Sequence, residues 1–200
     1  MPDEQYFTRR PTSEGGALTL TLTLRGREYT FVTEAGVFSR ARIDPGTKLL
    51  LQHLPVPSGA RVLDLGCGYG AVGVVAGTLA PEGRVTLVDI NERAVELART
   101  NLVANEVANA EVLQSDGFEA IAEQEFDVIA LNPPIRAGLA VVHRLIEESA
   151  HHLAPGGTFY LVGRTQQGAV RLAKKMAEVV GPVEELAKGG GYRVYVARRA

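Results

Sequence analysis

The chain has 200 residues, 46% of them hydrophobic and 22% charged, with a formal net charge of −2 and one cysteine, Cys67. That length suits one domain with a small extension; the charge argues against non-specific coating of nucleic acid, and a single cysteine excludes an intrachain disulfide. No apolar run is long enough to span a bilayer and the start Met1–Gln5 is acidic and polar, unlike a signal peptide, so the expectation is a cytoplasmic protein without a membrane segment.

Residues 1–16 are polar and carry Pro2, Pro11, Gly15 and Gly16, which reads as an irregular arm. From Ala17, Leu18, Leu20, Leu22 and Leu24 alternate with threonines; after the turn-like Arg25-Gly26-Arg27, alternation resumes over Glu28–Thr33. The pair predicts a β-hairpin. Asp44 followed by Pro45 suits an N-cap and first helical position, and Lys48–Leu54 continues as a short apolar helix. The breakers Pro55–Gly59 place a boundary between a capping segment, 1–54, and a main domain, 55–200. The apolar Val37 and Phe38, beside Ser39 and Arg40, would close one side of a cleft. Arg25, Arg27, Arg40, Arg42 and Lys48 exceed the nearby acids by only two charges, which by charge alone is a solvated surface.

From Arg61, strands and helices alternate. Strands are predicted at Arg61–Leu65, Arg84–Asp89, Ala110–Ser115, Asp127–Leu131, Thr158–Val162, Val183–Ala187 and Tyr192–Ala197. Helices are predicted at Ala71–Leu79, Glu92–Asn105, Gly138–Leu153 and Gly168–Val180, with a short one at Phe118–Glu123. This is an α/β protein: a Rossmann-like, doubly wound, mostly parallel sheet whose last strand is antiparallel, carrying an N-terminal β-hairpin cap.

The stretch Leu63-Asp64-Leu65-Gly66-Cys67-Gly68-Tyr69-Gly70 organises the rest. It lacks a Gly-Lys-Ser/Thr ending and its glycine spacing is not that of a dinucleotide binder, which disfavours a P-loop and an oxidoreductase. Such a loop is expected to point its amides at one small ligand. The next strand ends in Asp89, placed to accept from ribose hydroxyls. The third ends near Asp116 and the fourth in Asn132-Pro133-Pro134, so polar chemistry collects at one sheet edge. Cys67 reads as a small apolar residue, His143, His151 and His152 as helix-surface residues, and no His/Cys/Asp/Glu spacing suggests a metal site.

These motifs resemble those of class I S-adenosylmethionine-dependent methyltransferases. With Gly36-Val37-Phe38-Ser39-Arg40 and Asp44-Pro45-Gly46-Thr47 upstream, the chain is similar to the catalytic domain of small-subunit ribosomal RNA guanine-N2 methyltransferases, in a single-domain form. The resemblance implies S-adenosylmethionine as cofactor and RNA, ribosomal above all, as partner. Gly66, Gly68 and Gly70 would approach its amino-acid end, with Asp64 holding the ammonium. Asp89 would hold the ribose and Asp116 the adenine amine, with Ile90 and Phe118 over the ring faces. Asn132, with Pro133 and Pro134, would accept the N–H bonds of the amine to be methylated and border the cofactor. Guanine-directed relatives carry Phe then His after the second proline; here Ile135 and Arg136 stand there, and with Phe38 and Arg40 they are candidates for substrate contact. The alternatives are an adenine-N6 or protein glutamine-N5 methyltransferase, or a non-catalytic cofactor-binding module.

Overall fold

The computed structural model describes residues 8, 9 and 16–200; the expected arm over 1–16 lies almost wholly outside them. The hairpin pairs β1 (Leu18–Leu24) with β2 (Arg27–Thr33). Its two-residue turn, Arg25-Gly26, has positive φ at both positions, 51° and 79°, the twist that a tight hairpin needs. The helix α1 (Pro45–His53) follows, with the Asp44 carboxylate accepting from the Thr47 amide.

The main sheet has seven strands: β3 (Arg61–Leu65), β4 (Arg84–Asp89), β5 (Ala110–Gln114), β6 (Phe126–Leu131), β7 (Leu153–Arg164), β8 (Val183–Gly189) and β9 (Tyr192–Arg198). Their order is β5-β4-β3-β6-β7-β9-β8, parallel except that β9 runs antiparallel to both its neighbours. β7 begins earlier than the sequence suggests: Pro155-Gly156-Gly157 is not a separate turn but a register break, since Phe126 pairs with Leu153 while Val128 pairs with Thr158. The expected short helix near 118–123 is one 3-10 turn, Glu119–Ile121.

Helices α2 (Ala71–Leu79), α3 (Glu92–Ala104), α4 (Leu139–His152) and α5 (Ala169–Val179) cover the two faces. Strand residues alternate between them. Val62, Val128, Ala130 and Val162 join a core with α1, α2, α3 and the hairpin; Leu63, Ile129, Leu131 and Leu161 join another with α4 and α5. The hairpin's Tyr29 and Phe31 and α1's Leu50, Leu51 and Leu54 are buried in the first of these, so cap and sheet share one core.

The hairpin is docked by an unusual device. Asn101 of α3 and Asn105, its C-cap one turn further on, each exchange two hydrogen bonds with the β2 backbone. Asn101 accepts from the Val32 amide and donates to its carbonyl, at 2.7 and 2.9 Å; Asn105 does the same with Thr30, at 3.1 and 2.7 Å. Four helical residues rise about 6 Å and two strand residues about 7 Å, so the amides match the strand repeat. The helix therefore satisfies an edge that would otherwise need another strand.

Candidate active site

The carboxyl ends of β3, β4, β5 and β6 meet at a cavity of about 350 Å³, within the usual range for small-molecule sites. Gly66, Gly68, Asp89, Ile90, Asp116, Asn132, Pro133 and Pro134 line it from the sheet, and Val37 and Phe38 close it from the segment between β2 and α1. Asn91, the N-cap of α3, holds that segment in place: its Nδ2 donates to the Gly36 carbonyl at 2.8 Å, while Arg93 reaches the Ala35 carbonyl.

The glycine loop departs from expectation in one respect. Four of its amides are spent within the protein. Gly66 and Cys67 both donate to the Val88 carbonyl, Gly68 to Asp89 at 2.8 Å and Gly70 to the Cys67 carbonyl. What faces the cavity is bare α-carbon: Gly66 and Gly68 have φ of 70° and 55°, and a Cβ on either would project into open space. Gly70 does not line the cavity. A Cβ there would lie 3.0 Å from the Ala98 Cβ, so this glycine serves the entrance to α2 and its packing on α3.

Asp89 accepts from the Gly68 and Asn91 amides, one on each oxygen, so it ties the loop to the tip of β4 while keeping further lone pairs for a ligand. Desolvation pushes its carboxyl up to about 6. Asp64 is buried behind the loop, accepting from the Gly73 amide at 2.8 Å, and borders a small cleft shared with Gly66, Gly68 and Asn132. Burial pushes it up to about 7, and the Asp89 charge adds to the rise. Cys67 is buried beside both carboxylates; burial pushes its thiol well up, so it stays protonated and is no nucleophile.

At the third strand end Asp116 lines the cavity with one oxygen already taken by Arg144 of α4. Phe118 does not line it. The ring is buried in the core shared with α4 and stacks on His152 at 4.3 Å. Ser115, Asp116 and Gly117 stand at the wall instead.

After β6, Asn132-Pro133-Pro134 makes a tight bend. The Ile135 amide donates to the Pro133 carbonyl at 2.9 Å across Pro134, whose φ and ψ of −75° and 76° form an inverse γ-turn. One lone pair of that carbonyl is thereby used and one remains. On the far side of Asn132 lies a second cavity, of about 390 Å³, lined by Phe38, Ile135, Arg136, Arg42, Arg164 and Tyr192 among others. The Arg164 guanidinium sits 5.5 Å over the Tyr192 ring. Arg40 is not there. The chain turns at Ser39, φ 56°, and sends Arg40 to the Gly16 carbonyl, so Arg42 faces the cavity in its place. Arg42, Arg136 and Arg164 come from distant parts of the chain. Only their positions in space make them a group, although the window around Arg40 and Arg42 hinted at positive charge.

The sheet order and the cleft at the strand ends are those of S-adenosylmethionine-dependent methyltransferases, and a solved structure of the same shape agrees. The 16S rRNA N2 G1207 methyltransferase of T. thermophilus, solved with AdoMet and guanosine, superposes with a TM-score of 0.83 at 32% identity, covering 95% of this chain and 52% of that one. More narrowly, the chain belongs to the methyltransferase small domain family, whose sequence model matches residues 28–196. It is 35% identical to YbxB of Bacillus subtilis, an uncharacterized protein, with 98% of each chain covered. It is 38% identical to ribosomal RNA small subunit methyltransferase C of Pseudomonas aeruginosa over 90% of this chain and 54% of that protein. The chain thus spans about half the length of the ribosomal RNA methyltransferases it matches. The first cavity fits the cofactor, with mainly apolar walls, bare glycine faces and one carboxylate at the tip of the second parallel strand.

Proposed function

We propose that the chain methylates an exocyclic amino group of a base in ribosomal RNA, guanine N2 in the first place. The observation that carries this reading is the position of Asn132, on the wall between the two cavities. Asn132 and Pro133 line both. S-adenosylmethionine, when bound, supplies an electrophilic methyl group on a sulfonium. The chain's own residues bind and aim. Asp89 accepts from the ribose hydroxyls, Ile90 covers the adenine, and the free oxygen of Asp116 accepts from its amine. Asp64 carries the charge complementary to an ammonium at the loop end. Asn132 Oδ1 and the remaining lone pair of the Pro133 carbonyl accept the two N–H bonds of the incoming amine. That directs the nitrogen lone pair toward the first cavity and stabilises charge as the nitrogen becomes tetrahedral.

The second cavity supports a nucleic-acid acceptor over a protein amide. Three arginines offer partners to phosphates flanking a base, and Tyr192 and Phe38 offer aromatic surface to an unstacked ring. Ile135 can cover the base by apolar contact. The test is transfer of labelled methyl from S-adenosylmethionine to ribosomal RNA, free and in assembled subunits, followed by nucleoside analysis. N2-methylguanosine is the expected product. Label in N6-methyladenosine, or in glutamine of a protein acceptor, would overturn the guanine assignment.

A further inference from the structure

The Asp44-Pro45-Gly46-Thr47 turn has no role in the reading above, yet it touches the residue on which that reading depends. Asn132 Nδ2 donates to Thr47 Oγ1 at 2.9 Å and to Asp44 Oδ2 at 3.2 Å. Asp44 Oδ2 also accepts the Thr47 amide at 2.9 Å, and Oδ1 accepts from the Tyr192 hydroxyl at 3.2 Å, so the carboxylate acts only as an acceptor. An acceptor can face the amide nitrogen of Asn132 but not its oxygen, and this chooses between the two flips of the side chain. The two side-chain bonds of Asn132 to this turn are both donated by Nδ2, so the turn leaves Oδ1 unengaged. Asp44 and Thr47 are both buried, so water does not compete freely for these bonds.

The turn is built for close approach. A Cβ on Gly46 would lie 2.5 Å from Tyr192 Cδ1 and 2.9 Å from Asp44 Oδ2. Only glycine there lets the Tyr192 ring lie against the first turn of α1 while its hydroxyl reaches Asp44. Asp44, Thr47 and Tyr192 therefore form one support, drawn from the cap and from β9, behind a side chain on the bend that follows β6.

We infer that Asp44 and Thr47 are positioning residues that lock the Asn132 amide with its nitrogen turned into the protein and its oxygen left for the acceptor amine. The inference rests on the proposed reaction for its catalytic consequence but not for the lock itself, and two measurements keep these apart. The lock is read by NMR of the Asn132 side-chain amide, assigned by its loss in Asn132→Ala. In the wild type its protons should be protected from exchange, and in Thr47→Val, which keeps the shape and removes the hydroxyl, the protection should fall. Unprotected protons in the wild type, or no change in Thr47→Val, overturn the lock whether or not RNA is methylated. The consequence is read by single-turnover methyl transfer. Thr47→Val should lower the rate roughly tenfold, the size of one hydrogen bond, with cofactor affinity within about twofold, and Thr47→Ser should recover most of the loss. Added to Asn132→Ala, Thr47→Val should cost nothing further, since the side chain it orients is gone. An equal, additive loss in that background would make Thr47 a general structural residue and overturn the positioning role. A wild-type protein that methylates no ribosomal RNA would count against the proposed function alone, with the NMR result standing by itself.

Discussion

The two walls of the cleft are built by opposite means. The cofactor wall comes from consecutive strand ends, is mainly apolar, and satisfies its polar groups from within: loop amides on the Val88 carbonyl, Asp89 between two amides, Asp64 on Gly73. The wall proposed for the acceptor is gathered from the cap, the loop after β6, β7 and β9, and presents exposed arginines around a half-buried tyrosine. The first is an internally bonded shape with two desolvated carboxylates; the second is a charged surface with one oriented amide. Binding of the cofactor and capture of the acceptor should accordingly respond to different changes.

The sharpest separation is expected at Asn132. Asn132→Ala should reduce single-turnover methyl transfer by about 10²–10³, by analogy with loss of one oriented hydrogen-bonding group that acts in the transition state. Cofactor affinity, measured by calorimetry on the same preparation, should change little. Methylation within a few-fold of the wild type would reduce the Asn-Pro-Pro bend to a strand terminus. Asp89→Ala should do the reverse. It leaves the Gly68 and Asn91 amides unpaired and, on the proposed reading, removes ribose acceptors, which should weaken cofactor binding by about 1–3 kcal/mol. RNA affinity in a filter or anisotropy assay should stay near the wild-type value.

A pH titration sharpens the same contrast. With Asp64 up at about 7 and Asp89 at about 6 in the ligand-free protein, both must be ionised to hold a cationic, hydroxyl-rich ligand. Cofactor affinity should therefore fall by about tenfold or more from pH 8 to pH 5.5, while RNA capture by arginines does not lose its charge. Stability of the ligand-free protein should run the other way. Folding raises both carboxyl pKa values, so the folded form holds more protons than the unfolded one between about pH 4 and 7. The stability contributed by these groups is complete below that window and is lost as pH rises through it. Thermal melts at pH 5 and pH 8, with and without cofactor, check both signs.

The smallest effects belong to the acceptor wall. Arg164→Ala or Arg136→Ala should each weaken RNA binding a few-fold and lower the salt slope by about one, the signature of one lost phosphate contact. Cofactor affinity should be unaffected. A variant whose salt slope matches the wild type would remove that arginine from the RNA path.

The sequence reached the sheet, the cap hairpin and most of the cofactor wall because these depend on local signals: alternation in the hairpin, glycines after a buried strand, a carboxylate at the next strand tip. It did not reveal where loop groups point. The inward amides of Gly66, Cys67 and Gly68, the packing role of Gly70 and the buried ring of Phe118 follow from turns whose group directions have no period to read. Arg42 in place of Arg40 depends on one left-handed residue, Ser39. The acceptor wall was least legible, since Arg42, Arg136, Arg164 and Tyr192 meet only through the sheet order. Two traces were present. A glycine inside the first turn of α1 signals close approach by something bulky, and two asparagines one turn apart are poor helix formers that invite a reason.

Those asparagines have a consequence for how the molecule breathes. The Thr30 and Val32 amides are bonded to side chains of α3 rather than to a strand. Opening the hairpin from that edge requires the helix to give up two amide groups that are nearly or fully buried, so hairpin and helix open as one cooperative unit. In native-state hydrogen exchange, Thr30 and Val32 should keep time with the interior of α3, and the protection of a surface hairpin becomes a gauge of the helix whose first residues hold the segment that closes the cofactor cavity.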